Sequence, residues 1–342
     1  MTRHKVLHSV KPIVWGSLAM GLLFPPAGMN QTRGASGIQP AVVEARRVFA
    51  EAENPFRLKR DKAGNFYVLS RGSSISTYDA RKKLLRVIGS QGTGPGEFRS
   101  PQDMAVDAAG LIYVADWFNN RVQIVGPGGK QVAQFEFRRP RTIVLLGDGT
   151  IAVAGEPQDH LFDLYAGNGQ HIRPCGTAVS TGAKSPALNA ALNVGRLYAD
   201  AQDAVLFLFQ GLLKPVVRKY TRDCKLATEL PVDGTGMSDL VARAQETMSQ
   251  NMESGQLGLA YTLNALAIDA ATGDLWIAAG NHQIFVYSAA GKKLREFKVV
   301  DAETKSWMSV QDLMIAGTDL YVAGHKGCFV LEMPKVRGGG KP

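Results

Sequence analysis

Short apolar runs recur along most of the chain, and turn-forming residues separate one run from the next. Residues 111–115 (Leu-Ile-Tyr-Val-Ala) form such a run between Asp107-Ala-Ala-Gly110 and a polar loop that starts at Asp116. Two further runs, residues 121–125 and 131–135, flank a Gly-Pro-Gly-Gly turn. Glycine and aspartate suit tight turns because glycine adopts positive φ and the aspartate side chain accepts nearby backbone hydrogen bonds. This spacing predicts short antiparallel strands joined as hairpins, four to a sheet.

The same order of strands and turns recurs along the chain. Its copies span residues 56–88, 89–135, 140–169, 197–230, 266–297 and 313–331. The last copy is one strand short, whereas residues 42–49 form a strand candidate that has no partner beside it in sequence. Because an unpaired sheet edge promotes aggregation, we expect residues 42–49 to pair beside residues 328–333 and close a ring.

The second copy resembles the NHL repeat, the blade unit of a family of six-bladed β-propellers. The residues that carry the resemblance are Pro101, Ala105-Val106-Asp107, Gly110, Ile112-Tyr113-Val114-Ala115-Asp116, Asn120 and Arg121-Val122-Gln123. The resemblance implies an all-β fold, namely a six-bladed β-propeller of four-stranded antiparallel blades, closed by an N-terminal strand and of the exported bacterial type. It says little about activity, because these residues build the sheet.

Two insertions interrupt the propeller, for which we predict the bounds 41–335. Residues 177–193 are small and polar and predict a loop. In the longer insertion, residues 232–261, an amphipathic helix is predicted over 237–252 because apolar residues recur at three- and four-residue spacing. These residues are Leu240, Val241, Ala244, Met248 and Met252. Both insertions fall between the outer strand of one sheet and the inner strand of the next, so we expect them on one face.

The N-terminal segment predicts export. Residues 1–36 combine a basic start, a short apolar core and small residues, which is typical of a signal peptide and flexible leader. Loss of residues 1–34 would lower the formal charge from +9 by four, to +5, so a nucleic-acid partner is not indicated. We expect a periplasmic or extracellular protein without a stable membrane anchor, with a disordered basic tail over 336–342, and a monomer.

The chain has three cysteines, Cys175, Cys224 and Cys328. An odd count allows at most one intramolecular pair in an oxidising compartment. The sequence leaves open which two would pair, and three unpaired or buried thiols are the alternative.

Charged residues are predicted at the mouth of the central channel. Aligned on the turn glycines, the inner strands begin with or follow residues that include Arg57, Asp103, Arg141, Arg196, Asn264 and Asp312. Arginines at such a mouth suit an anionic or zwitterionic ligand. The alternative is that the arginines and aspartates only pair with one another, in which case removal of one should cost the roughly 0–1 kcal/mol of an exposed pair.

Histidines suggest a second kind of site. His160, His282 and His325 all follow the second strand of their sheets, and three imidazoles with an open fourth position suit zinc. The family resemblance includes a lyase with a histidine-bound metal, and propeller lactonases with calcium, for which Asp103, Asn264 and Asp312 offer a partial set. Solvated loop histidines are the alternative.

The sequence therefore favours a non-catalytic exported binding scaffold without a cofactor. Its partner would be a protein, a peptide or a small polar or anionic ligand at the channel mouth. The alternative is a metal-dependent lyase or lactonase that uses the central channel with zinc or calcium.

Overall fold

The computed structural model describes residues 40–333 except 157–158, 184 and 254–257. It is an all-β β-propeller with four-stranded antiparallel blades and two α-helices. The predicted signal peptide and leader (1–36) and the predicted basic tail (336–342) lie outside the described residues.

Four blades are separate four-stranded sheets, and in each the strands pair in chain order. Blade 1 consists of β2 (Pro55–Arg60), β3 (Phe66–Ser70), β4 (Ser74–Tyr78) and β5 (Leu84–Ile88). Blade 2 consists of β6 (Pro101–Val106), β7 (Ile112–Asp116), β8 (Arg121–Val125) and β9 (Gln131–Glu136). Blade 3 consists of β10 (Thr142–Leu145), β11 (Ile151–Ala154), β12 (His160–Tyr165) and β13 (His171–Thr177). Blade 4 consists of β14 (Gly195–Ala199), β15 (Val205–Phe209), β16 (Val216–Tyr220) and β17 (Leu226–Pro231).

The remaining strands form one eight-stranded sheet in the order β18-β19-β20-β21-β1-β24-β23-β22. Its members are β1 (Ala41–Val48), β18 (Leu263–Ile268), β19 (Leu275–Ala279), β20 (Gln283–Tyr287), β21 (Lys293–Asp301), β22 (Val310–Ala316), β23 (Asp319–Gly324) and β24 (Gly327–Glu332).

Strand β1 lies in the middle of this sheet and pairs on both of its edges. Its second half is antiparallel to β24, with Arg46 opposite Val330 and Val48 opposite Cys328, which confirms the predicted pairing. Its first half is parallel to β21, a pairing that the sequence did not predict. Two four-stranded groups are thereby fused, so the described residues form five sheets and the predicted count of six blades is not confirmed.

The turn at Asp107 shows how local sequence sets the hairpins. The side-chain Oδ1 of Asp107 accepts hydrogen bonds from the backbone N–H groups of Ala109 (2.9 Å) and Leu111 (2.8 Å). Gly110 has φ +78°, a left-handed conformation that favours glycine. The chain therefore reverses within four residues and places β6 beside β7.

Both insertions contain a helix. Residues 177–193 are not only a loop as predicted, because α1 (Pro186–Leu192) begins after Ser185, whose Oγ caps the backbone N–H of Leu188 at 3.1 Å. Helix α2 (Met237–Glu253) agrees with the predicted helix, and the predicted apolar stripe packs inward at Leu240, Ala244 and Met248. Met252 departs from that stripe, with 48% of its surface exposed.

A disulfide joins blades 3 and 4. Cys175 on β13 bonds Cys224, which lies in the turn between β16 and β17. Cys328 on β24 is buried and free, and burial raises the pKa of its thiol. The pairing that the sequence left open therefore links two neighbouring sheets through their outer parts.

Candidate functional site

The inner strands of neighbouring sheets are tied together by side chains that accept backbone hydrogen bonds. Asp312 Oδ2 accepts from Leu58 N (3.0 Å), and Asp103 Oδ2 accepts from Ile143 N (3.3 Å). Two hydroxyl groups act in the same way. Thr142 Oγ1 accepts a hydrogen bond from Leu197 N at 3.0 Å. Tyr198 Oη accepts one from Leu266 N, also at 3.0 Å. These polar groups therefore hold adjacent sheets in register around the channel.

Arg196 and Asp312 form a buried ion pair. Arg196 Nη2 donates to Asp312 Oδ1 at 2.9 Å, and the two side chains are 2% and 0% exposed. Arg196 Nη1 donates to the backbone carbonyls of Asn264 and Gln311, both at 3.1 Å. Burial alone would lower the pKa of Arg196, but Asp312 raises it above the usual value. Both Nη groups of Arg196 are therefore engaged within the protein, whereas its Nε has no hydrogen-bond partner.

Asp103 faces two cations of blade 1. Its Oδ1 lies 3.6 Å from Arg57 Nε and 3.7 Å from Lys59 Nζ. Its Oδ2 accepts a hydrogen bond from Thr142 Oγ1 at 2.9 Å. Asp103 is 1% exposed, whereas the side chains of Arg57 and Lys59 are 13% and 25% exposed. The two cations are therefore more exposed to solvent than the carboxylate that they face.

Positive charge exceeds negative charge in this group, because Arg57, Lys59 and Arg196 face only Asp103 and Asp312. Burial, followed by repulsion from Arg196, lowers the pKa of Arg57 from 12.5 to about 10 despite the attraction of both aspartates. A guanidinium at that pKa is still charged at neutral pH. The channel mouth is therefore electropositive. We call Arg57, Lys59, Arg196, Asp103 and Asp312 the channel cluster.

The other two predicted mouth residues have separate partners. Arg141 Nη2 donates to Tyr261 Oη at 3.1 Å, and its guanidinium lies 5.7 Å from the ring centre of Trp117. Asn264 Nδ2 donates to the carbonyls of Gly280 and, at 3.1 Å, Val310. The structure thus brings four of the six predicted residues into one charged cluster and places Arg141 on an aromatic surface.

Two exposed aromatic rings, each with a cation nearby, lie in loops at the end of the sheets where the inner strands begin. Phe118 and Trp307 are 45% and 48% exposed. Arg99 lies 5.7 Å from the ring centre of Phe118, and Lys298 Nζ lies 5.7 Å from that of Trp307. We call these four residues, together with Arg141 and Arg71, the aromatic–basic rim. Arg71 lies 5.2 Å from the ring centre of Phe56.

The three predicted metal-binding histidines have different surroundings. His160 Nε2 lies 3.0 Å from Asp163 Oδ2, and His171 Nε2 lies 2.9 Å from the other oxygen of the same carboxylate. His282 stacks on Trp307 with ring centres 4.6 Å apart, and its pKa is lowered by burial and then by Lys298 and Arg243. His325 Nε2 lies 3.4 Å from Gln311 Nε2, and burial and Arg71 lower its pKa.

Among residues 40–333, as far as they are described, no three His, Cys, Asp or Glu side chains form a group that fits a metal ion. The structure therefore does not bring His160, His282 and His325 together as ligands. The three residues of the calcium alternative also have partners within the protein, since Asp103 and Asp312 accept hydrogen bonds and Asn264 Nδ2 donates to backbone carbonyls. Binding of zinc or calcium therefore stays a prediction, and the described residues contain no cluster of His, Cys, Asp or Glu side chains that supports it.

Sequence reasoning missed Lys59 and Tyr198, and it placed Thr142 at the start of an inner strand without assigning it a role. Lys59 had a usable signal, since it follows Arg57 by two residues on an inner strand and so points to the same side. Thr142 and Tyr198 act through hydroxyls that contact a neighbouring sheet, and a sequence pattern does not encode such contacts.

A groove of about 500 Å³ lies away from the channel, between the end of β13 and α1. Its lining is mostly small and polar, with Asp159, Thr177, Ser180, Ser185 and Asn189. None of these lining residues belongs to the channel cluster or to the aromatic–basic rim.

Residues 98–125 match the family model of the NHL repeat. Mouse NHL repeat-containing protein 3 is 30% identical over 76 residues, which are 21% of this chain and 22% of that protein. The human protein of the same name is 29% identical over a stretch of the same length. The match thus spans about a fifth of the length of these relatives. It supports an NHL-type repeat in a β-propeller and leaves the activity open.

Solved structures share the fold at low identity. A streptogramin B lyase superposes with a TM-score of 0.55 at 9% identity, over 85% of this chain and 97% of that chain. A catalytically inactive virginiamycin B lyase from Staphylococcus aureus with quinupristin gives 0.54 at 14%, over 83% and 81%. The U3-55K protein gives 0.53 at 10%, over 87% of each chain. Such identities show a common fold only.

Within the described residues, no helix has the length and apolar character needed to cross a membrane.

Proposed function

We propose that this NHL-type propeller is a non-catalytic, exported binding scaffold that holds an acidic protein segment or peptide on its aromatic–basic rim. The observation that carries the proposal is the rim itself: two large exposed rings, each with a cation near its face, in loops at one end of the sheets. Loops on a rigid scaffold are where binding residues are commonly found.

The chemistry of the rim favours a partner with acidic and apolar groups. Exposed aromatic side chains and arginines contribute a large share of the binding energy at protein interfaces. Arg71, Arg99, Arg141 and Lys298 add positive charge at the same end of the sheets, and the channel cluster beneath them has more cations than anions. An acidic partner would therefore be attracted over a distance and then packed against the rings.

Two further features support the remaining parts of the proposal. The Cys175–Cys224 disulfide suits an oxidising compartment, in keeping with export. The eight-stranded sheet consists of two four-stranded groups, which fits a ring of six blades in which β1 joins the last two.

The test is a selection of peptides on the intact protein, followed by affinity measurements on variants. We expect selected peptides to be acidic, and Trp307→Ala and Phe118→Ala each to weaken them about 10-fold or more, in line with hot-spot side chains. Val132→Ala is the matched control, since Val132 is an exposed apolar residue on the outer strand β9, with 61% exposure.

Peptides that bind both aromatic variants as tightly as the parent would contradict the proposal. Metal analysis of protein purified without chelator separates the proposal from the lyase or lactonase alternative. Stoichiometric zinc or calcium would favour the enzyme, because a resident metal is what either reaction would require.

A further inference from the structure

Arg57 and Lys59 differ from Arg196 in the channel cluster because neither donates a hydrogen bond to an aspartate, whereas Arg196 donates to Asp312. They are two residues apart on β2, so their side chains leave the strand on the same side. Both lie just beyond hydrogen-bond distance of Asp103 Oδ1, at 3.6 Å and 3.7 Å. Arg57 Nε is buried without a hydrogen-bond partner, although Arg57 Nη1 donates to the carbonyl of Phe56 at 2.7 Å. Lys59 Nζ forms no hydrogen bond with the described residues.

The aspartates of the cluster are already used by other donors. Asp312 accepts from Arg196 through Oδ1 and from Leu58 N through Oδ2. Asp103 accepts from Met104 N through Oδ1 at 2.9 Å and from Thr142 through Oδ2. Both carboxylates are therefore held by other donors, and Arg57 and Lys59 stay beyond hydrogen-bond distance of Asp103.

We propose that Arg57 and Lys59 together bind one oxyanion, a carboxylate or phosphate group, at the channel mouth. The inference rests on the proposed binding role of this face and names the chemical group that enters its channel. An oxyanion between the guanidinium and the ammonium accepts charge-assisted hydrogen bonds from both, and it balances the extra positive charge of the cluster. Arg196 lies outside this contact because its side chain is only 2% exposed and its Nη1 and Nη2 donate to two carbonyls and Asp312, although its Nε has no hydrogen-bond partner.

The test compares sodium phosphate, sodium acetate and sodium chloride at equal ionic strength. Equilibrium dialysis should count one phosphate per chain in the parent. The melting temperature should rise by about 5 °C at a hundredfold excess over the dissociation constant. A response to phosphate alone identifies a phosphate group as the ligand, whereas a response to acetate as well identifies the oxyanion class.

Three variants locate the site. Lys59→Met should lose the phosphate effect, whereas Lys59→Arg, which keeps the charge, should retain it. Lys130→Met is the matched control, because Lys130 is an exposed lysine in the β8–β9 turn at the opposite end of the sheet. If Lys59→Met does not fold, the dialysis count on the parent and on Lys59→Arg still decides the question.

Absence of bound phosphate and acetate in the parent would overturn the inference, as would an undiminished effect in Lys59→Met. Neither result would contradict the proposed function, because that function is tested by peptide binding to the Phe118 and Trp307 variants. Conversely, phosphate binding without any rim-dependent peptide would leave this site standing and remove the scaffold role.

Discussion

Arg196 and Asp312 form an ion pair whose two partners come from different sheets and are almost entirely buried. Their burial changes the expected energetics. Exposed pairs contribute about 0–1 kcal/mol, but breaking a buried pair costs about 3–5 kcal/mol because an uncompensated charge stays in the interior. Arg196 thus contributes to the stability of the channel, and its part in ligand binding stays a prediction.

We expect Arg196→Met to lower the free energy of unfolding by about 3–5 kcal/mol, because Asp312 would keep its charge without its main partner. Urea unfolding measures the change. Arg139→Met is the matched control: Arg139 and its partner Glu156 are 46% and 39% exposed, so a loss of at most about 1 kcal/mol is expected. Equal losses in the two variants would contradict the buried-pair argument.

The ion pair of Arg196 and Asp312 should also make the stability of the protein depend on pH in acid. Burial alone would raise the pKa of Asp312, but Arg196, then Lys59 and Arg57, hold it below its usual value of 3.8. A lowered folded-state pKa contributes stability that is present above pH 3.8 and is lost as the pH falls through the folded value. The double variant Arg196→Met, Asp312→Asn should lack this component, so its stability should fall less than that of the parent in acid.

At the scale of secondary-structure elements, β1 pairs with both halves of the eight-stranded sheet. It covers the edge of β21 on one side and the edge of β24 on the other. Ala45 is fully buried, and Phe49, just after the strand, packs its ring 4.6 Å from that of Tyr78 and 5.1 Å from that of Phe66. One short strand therefore joins blade 1 to both halves of the eight-stranded sheet.

Deletion of residues 1–49 should cause aggregation and a large loss of thermal stability, because it exposes two strand edges and removes Phe49 from the core. Size-exclusion chromatography and thermal melts provide the measurement. Deletion of residues 1–39 retains β1 and serves as the control, which should stay soluble and melt like the longer form. A monomeric, equally heat-stable product of the longer deletion would show that β1 is dispensable.

For the whole molecule, the Cys175–Cys224 disulfide links blades 3 and 4 across 49 residues of chain. A cross-link over a loop of this length stabilises the folded state by about 4 kcal/mol in the chain-entropy description. It therefore restrains the part of the ring that lies away from the β1 junction.

Reduction should lower the urea midpoint of the parent, and Cys175→Ala with Cys224→Ala should lower it by a similar amount and abolish the response to reductant. Cys328→Ala is the control, since Cys328 is a free thiol and its loss leaves the reductant response in place. If the urea midpoint of the parent does not change on reduction, the disulfide contributes nothing to stability.

The sequence by itself determined the local elements. The alternation of apolar runs with Asp and Gly turns predicted the hairpins, and Asp107 and Gly110 take the conformations expected of them. The three- and four-residue spacing predicted α2, and the missing last strand predicted the pairing of β1 with β24. Periodicity encodes such features because it decides which side of a strand or helix is buried.

Only the tertiary structure decided the contacts between distant residues. Arg196 meets Asp312 across 116 residues of sequence, and Cys175 finds Cys224 rather than Cys328. The parallel pairing of β1 with β21, the hydroxyl contacts of Thr142 and Tyr198, and the position of Lys59 beside Asp103 belong to the same class. Burial and charge pairing depend on which elements become neighbours, and a local pattern of residues carries no information about that.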